Sequence, residues 1–329
     1  MIWLGIETSC DDTSVAIVKD GTQILANLIS SQIDIHKLYG GVVPEIASRK
    51  HLETINPLMN AALSQAELKW SDIDAVAVSN GPGLIGSLLV GVSAAKAISA
   101  LLDVPILGIN HLPAHIYANF LGESEIQLPA VALLISGGHT CLVNMLAHGH
   151  FELLGETRDD AAGECFDKSA RILGLPYPGG PEIDRLAQKG NAEKIKFPKA
   201  FIHEDNYEFS FSGLKTAVMQ YCKKNPDFMI EDVCASLQKA IADVLVAKTL
   251  KALKATRNKT LLLAGGVACN SQIRKSLREI AEKHNIDFHM PPPVLCTDNA
   301  AMIACLAHYD YQRGVRNDLG VDASPIASW

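Results

Sequence analysis

Eight cysteines are spread through the chain, yet no two of them form a C-x-x-C pair. No basic leader precedes them either, since MIWLGIETSCDD reaches Glu7 after six apolar or glycine residues. Both absences argue against a disulfide framework; we expect reduced thiols in a cytosol, mostly packed as small core residues. A long uninterrupted apolar run is also missing. The nearest, Leu84 to Leu102, carries Lys96, three serines and two glycines, which suits a buried small-residue helix better than a membrane span. Excess positive charge is lacking too, the balance being −7, so the whole chain gives no sign of a nucleic-acid partner. Aromatic residues contribute only 6% and charged residues 20%, but a 48% hydrophobic content marks a globular chain. Its 329 residues suffice for two domains, each with its own core.

Locally the charge differs. From Lys248 to Lys283 nine Lys or Arg face only Glu279 and Glu282, a segment of +7 that leaves −14 for the remainder. Solvated faces of two helices are the plain reading, and a polyanion can use the same face.

Apolar runs and turns alternate in a repeating way. Ile2 to Ile6 and Thr13 to Val18 read as strands around the polar turn Glu7 to Asp12, where Asp11 and Asp12 can hold a cation or accept a proton. Residues 44–68 have helical spacing and read as a helix pair, followed by a buried strand from Ile73 to Ser79. Val104 to Ile109 is another strand. After a polar break from Gly122 to Gln127 the opening pattern returns: strand Val131 to Ile135, turn Ser136-Gly-Gly-His-Thr140, strand Cys141 to Met145. Two related lobes are implied, each presenting a hairpin to a shared cleft. The small residues Ser136, Gly137 and Gly138 let backbone amides approach a ligand, while His139 reads as a turn residue. Asp167 beside a helix start, and Asp184 after the Gly179-Gly180 turn, can seat ribose hydroxyls or serve as cap and loop residues. Leu261 to Leu263, Gly265-Gly266 and the helix from Ser271 form a strand, glycine turn and helix. There Asn270 can present its amide to an adenine or ribose.

The stretch His111-Leu-Pro-Ala-His115 follows the strand that ends at Ile109. Residues four apart on a helix of roughly 3.6 residues per turn lie about 40° apart, so both imidazoles can grip one ion. Pro113 is tolerated in a first turn. With 11 histidines in the chain one such pair can be accidental, so spacing alone leaves metal and structural roles evenly balanced. Asp298, ahead of a helix from Asn299, is either its cap or the carboxylate that completes a two-histidine site.

GIETSCDDTSVAIV, SQIDIHKLYGGVVPEIASRKH, HLPAH, ISGGHT, PYPGGP, FSFSGLKTA, LAGGVACN and CTDNAAMIA together resemble, in order and spacing, the bacterial TsaD family, formerly Gcp or YgjD. The resemblance runs from residue 2 to about 316. It implies an α/β, two-lobed actin-like, sugar-kinase-like and Hsp70-like ATPase (ASKHA) fold, each lobe an RNase H-like mixed sheet flanked by helices. We expect residues 1–110 with about 300–329 to form one lobe and about 111–299 the other, with metal and nucleotide in the cleft. It also implies a cytoplasmic tRNA N6-adenosine threonylcarbamoyltransferase, which moves the threonylcarbamoyl group of L-threonylcarbamoyladenylate onto the adenosine 3′ of the anticodon in tRNAs reading codons that begin with A. Carried over by position, metal ligands fall on His111, His115 and Asp298. Nucleotide and substrate contacts fall on Leu134, Ile135, Ser136, Gly137, Gly138, Asp167, Gly180, Asp184 and Asn270. Asp11-Asp12 replaces the Asp-Glu commoner in the family and keeps its charge. The resemblance further implies TsaB-like and TsaE-like partner proteins, tRNA, a separate enzyme that makes the adenylate, an ATP- or ADP-type nucleotide in the cleft, and no membrane.

The adenine amine is a poor nucleophile, so we expect one divalent cation, iron or alternatively zinc, to activate the electrophile, with Asp11 accepting the amine's proton. A metalloprotease of the zincin kind needs Glu after the first histidine, and Leu112 stands there. A small-molecule kinase would fit the fold without needing HxxxH, and a non-catalytic nucleotide-binding scaffold is the third reading.

Overall fold

The computed structural model describes residues 1–122 and 125–326 and divides the chain into two units, Met1–Ile126 with Pro291–Trp329, and Gln127–Met290. Glu123 and Ser124 of the expected polar break, and residues 327–329 of the expected first lobe, lie outside the described residues. The division differs from the 110 and 300 boundaries expected above. Residues 111–126 and 291–299 belong with the first unit, so both histidines and Asp298 sit in one body. Element numbers below follow the chain.

In the first unit β1 (Ile2–Glu7), β2 (Asp12–Lys19) and β3 (Gln23–Ser31) form an antiparallel meander. β4 (Ala75–Gly81) and β5 (Ile106–Asn110) add in parallel beside β1, giving the order β3-β2-β1-β4-β5. The helices are α1 (Ile33–His36), α2 (Pro44–Gln65), α3 (Ile85–Leu102), α4 (His111–Tyr117), α10 (Pro293–Cys296) and α11 (Ala300–Gln312). Leu4, Ile6, Val15, Ile17, Val76 and Val78 pack against Ile55, Met59 and Leu63 of α2 and Val92 and Ala95 of α3, while α11 packs against β1 and β2. Cover on both faces explains why β1 and β4 read as almost unbroken apolar runs.

Two helices differ from expectation. Residues 44–65 form one helix, not a pair; Pro57 lies within it, and the buried stripe runs through Ala47, His51, Ile55, Met59, Ala62 and Leu63, leaving Leu52 exposed. α3 buries Leu88, Gly91, Val92, Ala95 and Ser99 but exposes Ile85, Leu89 and Leu101. By length and composition it is apolar enough to cross a membrane; in this fold it packs on β4 and α2.

The second unit repeats the plan. β6 (Ala130–Ile135), β7 (Thr140–Ala147) and β8 (His150–Glu156) are antiparallel, and β9 (Thr260–Ala264) and β10 (Asp287–His289) continue in parallel on the far side of β6. Its order, β8-β7-β6-β9-β10, matches the first sheet strand for strand. Around it lie α5 (Ala162–Ile172), α6 (Gly179–Ala187), α7 (Ser212–Lys224), α8 (Ile230–Thr256) and α9 (Ser271–His284). The repeated hairpin was legible in the sequence; β3, β8 and β10 were not. The first two are half-exposed strands without a clean apolar alternation, and β10 has only three residues.

Candidate functional site

β5 delivers the chain to α4, and Asn110 caps that helix by accepting the Leu112 amide at 3.0 Å. His111 is then the first helical residue and His115 stands one turn on; Pro113 falls within the first turn, where its missing N–H costs nothing. The two Nε2 atoms face each other at 3.1 Å. Asp298 Oδ1 lies 3.5 Å from Nε2 of His111 and 3.3 Å from Nε2 of His115.

The acid reaches them because α11 is set close on β1. A Cβ on Gly5 would stand 2.3 Å from the Ala300 carbonyl oxygen, so only glycine lets the helix start there. Asn299, not Asp298, caps α11: its Oδ1 accepts the Met302 amide at 3.0 Å while its Nδ2 donates to the carbonyls of Leu295 and Thr297 at 3.1 and 2.8 Å. The capping role considered for Asp298 is therefore taken by its neighbour, and its carboxylate turns toward the imidazoles.

Glu7, at the end of β1 and fully buried, places Oε2 2.9 Å from Nδ1 of His111. The Ser9 hydroxyl is 3.2 Å from the same nitrogen, and the Ser9 amide donates to Glu7 Oε1 at 2.6 Å. A carboxylate behind a histidine fixes its tautomer and orients the other nitrogen toward a metal. Sequence reading missed Glu7. The available signal was a charge ending an apolar strand run. Burial opposes a charge on His111, but Glu7 and Asp298 outweigh it and push the imidazole up to about 9. Burial holds His115 below the ordinary histidine range despite Asp298. His115 Nδ1 is buried and has no hydrogen-bond partner among the described residues.

The three donors fit a divalent cation. Their atoms all lie within 4.8 Å of one another. Separations of 3.1, 3.3 and 3.5 Å between the three donor atoms are short enough for one ion with ligand distances of about 2.0–2.2 Å to be held by all three. Two histidines and a carboxylate suit iron or zinc.

Asp11 ends the turn after β1, and Asp12, expected in that turn, is the first residue of β2. Burial raises the Asp11 carboxyl above its ordinary range, against a hydrogen bond from Cys10 and with the charge of Asp298 adding. Burial pushes Asp12 up to about 7, opposed by a hydrogen bond from Ser31. The Cys10 thiol is driven up by burial and neighbouring acids, which leaves it a poor nucleophile.

The second unit holds a cavity of about 360 Å³. Gly137, Asp167, Gly180, Asp184 and Asn270 line it, together with Gly266 of the expected glycine turn and with Phe166, Arg185 and Val267, which sequence reading did not single out. A Cβ on Gly137 or Gly138 would meet nothing within 4 Å, so the turn is open on that side. Leu134 and Ile135 are fully buried in the sheet, with only backbone left to offer a ligand, and neither they nor Ser136 nor Gly138 lines the cavity. His139 is a turn residue whose amide donates to Ser136 Oγ at 3.1 Å.

Several lining residues also hold the structure. Asp167 Oδ1 accepts the Gly179 amide at 2.8 Å, where α6 begins; the expected Gly179-Gly180 turn is the first turn of that helix. Asp184 accepts the Ser271 hydroxyl at 2.5 Å, the Ser271 amide at 3.1 Å and Gln238 Nε2 at 2.9 Å. Asn270 Oδ1 caps α9 by accepting the Ile273 amide at 3.1 Å.

Solved structures similar to this chain include component A of the (R)-2-hydroxyglutaryl-CoA dehydratase of Acidaminococcus fermentans. Its TM-score is 0.58 at 16% identity, and the match covers 95% of this chain and 99% of that one. HypF of T. kodakarensis reaches 0.63 at 16% identity over 95% of this chain and 48% of its own. These likenesses concern the fold, and with two matching RNase H-like sheets they define its class: the ASKHA fold of actin-like, sugar-kinase-like and Hsp70-like ATPases.

A family model described as tRNA N6-adenosine threonylcarbamoyltransferase, TsaD, matches residues 23–305. Proteins bearing that name from Geotalea uraniireducens and Symbiobacterium thermophilum are 51% and 53% identical, over 99% and 98% of this chain and 96% and 95% of theirs. The chain belongs to the TsaD family and is a transferase that modifies tRNA.

Proposed function

We propose that the chain transfers the threonylcarbamoyl group of L-threonylcarbamoyladenylate to N6 of the adenosine 3′ of the anticodon, in tRNAs reading codons that begin with A, and releases AMP. The observation that carries this reading is the convergence of His111, His115 and Asp298 on one point, with Glu7 behind the first histidine. In the reaction a bond forms between N6 and the carbamoyl carbon, the bond from that carbon to the phosphate oxygen breaks, and N6 loses one proton. One divalent cation per chain, iron or alternatively zinc, supplies Lewis-acid polarisation of the carbamoyl group when bound.

The remaining work falls to side chains. Asp11 accepts the amine's proton, a task that suits a carboxyl raised above its ordinary range by burial. Amides of the Gly137 turn, with Asp167, Gly180, Asp184 and Asn270, hold the AMP portion; since Asn270 Oδ1 is engaged in its cap, its amide N–H group is the part that addresses the ligand. Leu134, Ile135, Ser136 and Gly138 contribute through position and backbone. An ATP- or ADP-type nucleotide would use the same cavity. The reading includes cytoplasmic action, TsaB-like and TsaE-like partners, an upstream synthase that supplies the adenylate, and no membrane.

Reconstitution with synthetic threonylcarbamoyladenylate, unmodified tRNA and the partners, read by nucleoside mass spectrometry, tests it. Threonylcarbamoyladenosine should accumulate with one AMP released per modified tRNA. Release of AMP with unmodified tRNA would refute the acceptor assignment.

A further inference from the structure

Between β3 and α2 the chain makes an excursion that the proposed reaction does not use. α1 continues into a single 3₁₀ turn, Lys37–Tyr39, closed by Gly40 at a left-handed φ of 70° that glycine adopts without strain. The excursion is pinned from beneath. His36 is fully buried, with Nε2 3.1 Å from Gln32 Oε1 and Nδ1 accepting the Val43 amide at 3.3 Å. Its carbonyl accepts the Gly41 amide at 3.3 Å. Lys37 pairs with Asp34 at 2.6 Å, which neutralises the only charges on the tip.

What this pinned turn displays is apolar. Leu38 is 79% exposed and Tyr39 61% exposed, two adjacent large side chains without cover. Tyr39 is the only exposed aromatic residue among the described residues. The turn also has a defined place. Ser31, from which it springs, is the register partner of Asp12 and hydrogen bonds to it, so the tip rises at the end of the sheet where Asp11 closes the turn after β1 and Asp12 opens β2.

We propose that Leu38 and Tyr39 form a stacking platform for an unpaired base of the tRNA substrate, beside the adenosine that is modified. The inference rests on the proposed function, which puts a single-stranded loop at this site. Proteins recognise such loops by stacking splayed bases on aromatic side chains. A π face accepts any base, so the contact tolerates the sequence differences among several tRNAs. The tip's paired charges make phosphate attraction a poor alternative. A protein partner seated on the tip is the competing occupant.

The test uses the full chain with its partners and an anticodon stem-loop carrying 2-aminopurine next to the target adenosine. Wild type should quench the probe on binding. Tyr39→Ala should abolish the quench and raise KM for the stem-loop about tenfold with kcat little changed, whereas Tyr39→Trp should restore both. A quench and KM unchanged in Tyr39→Ala, with weaker partner association instead, would overturn the proposal in favour of a protein-docking tip. Equal damage from Ala and Trp would also overturn it, since stacking is then not what the residue provides. If wild type binds and quenches but transfers nothing, the proposed reaction fails while the platform stands; if wild type does not quench, the platform fails whatever the activity.

Discussion

Glu7 Oε2 lies 2.9 Å from Nδ1 of His111 while Nε2 of the same ring faces His115 and Asp298. The carboxylate therefore decides which nitrogen is presented to an ion. Glu7→Gln keeps the shape but removes the charge, and should weaken zinc binding about 10- to 100-fold with the fold intact. Competition against a chelating dye, beside circular dichroism, measures both. An unchanged affinity would show that packing alone orients the ring.

The approach of α11 to β1 makes a second prediction. Gly5→Ala sets a methyl group 2.3 Å from the Ala300 carbonyl oxygen, which belongs to packed backbone and cannot swing aside. The cost should be about 2 kcal/mol or more in urea unfolding. Because Asp298 precedes that helix, metal affinity should fall as well. A variant that loses stability yet binds metal normally would separate the helix position from the site.

His51 supplies a pH dependence. It is buried between Thr13 Oγ1 at 2.8 Å and the Cys10 carbonyl at 3.0 Å, and burial holds its pKa below the ordinary 6.5. The unfolded chain therefore takes up the proton first. The stabilisation is present above pH 6.5 and is lost as pH falls below it, with a slope of up to about 1.4 kcal/mol per pH unit. His51→Gln cannot titrate, so the stability gap between wild type and variant should narrow on acidification. A gap independent of pH between 5 and about 7 would contradict the assignment.

The basic stretch splits into two kinds of residue. Lys248 is buried and donates to the Glu204 carbonyl at 3.3 Å, the Asn206 carbonyl at 3.0 Å and Asn206 Oδ1 at 2.7 Å. Lys248→Met should cost about 1 kcal/mol through the lost hydrogen bonds, since Lys251 still donates to both carbonyls and the Glu208 amide to Asn206 Oδ1, with no effect on the salt dependence of tRNA binding. Lys275, Arg278 and Lys283 are exposed on α9. If tRNA uses that face, each change to Ala should flatten the salt slope by about one unit. Equal slopes for wild type and the triple variant would remove this face from the tRNA interface.

The HxxxH pair was legible because helical spacing is a local property, and the strand, small polar turn and strand pattern announced both hairpins. Asp298 was harder. An acid before a helix reads as its cap, and only coordinates reveal that Asn299 caps instead. Asp184 and Asn270 show the opposite limit: both line the cavity, yet their oxygens are committed to α9, and spacing cannot say which lone pair a ligand receives. Glu7 stayed hidden because its partner lies 104 residues away. β3 and β8 escaped notice because strands with partly exposed faces carry little apolar periodicity.

Metal stoichiometry measured beside transfer activity tests the central claim most directly. Wild type, His115→Ala and Asp298→Ala would be purified, assayed for bound iron and zinc by mass spectrometry, and tested in the reconstituted reaction before and after chelation. The account predicts about one ion per wild-type chain, activity lost on chelation and regained with metal, and little metal or activity in either folded variant. Full metal content in Asp298→Ala, or undiminished transfer by a metal-stripped wild-type chain, would contradict it.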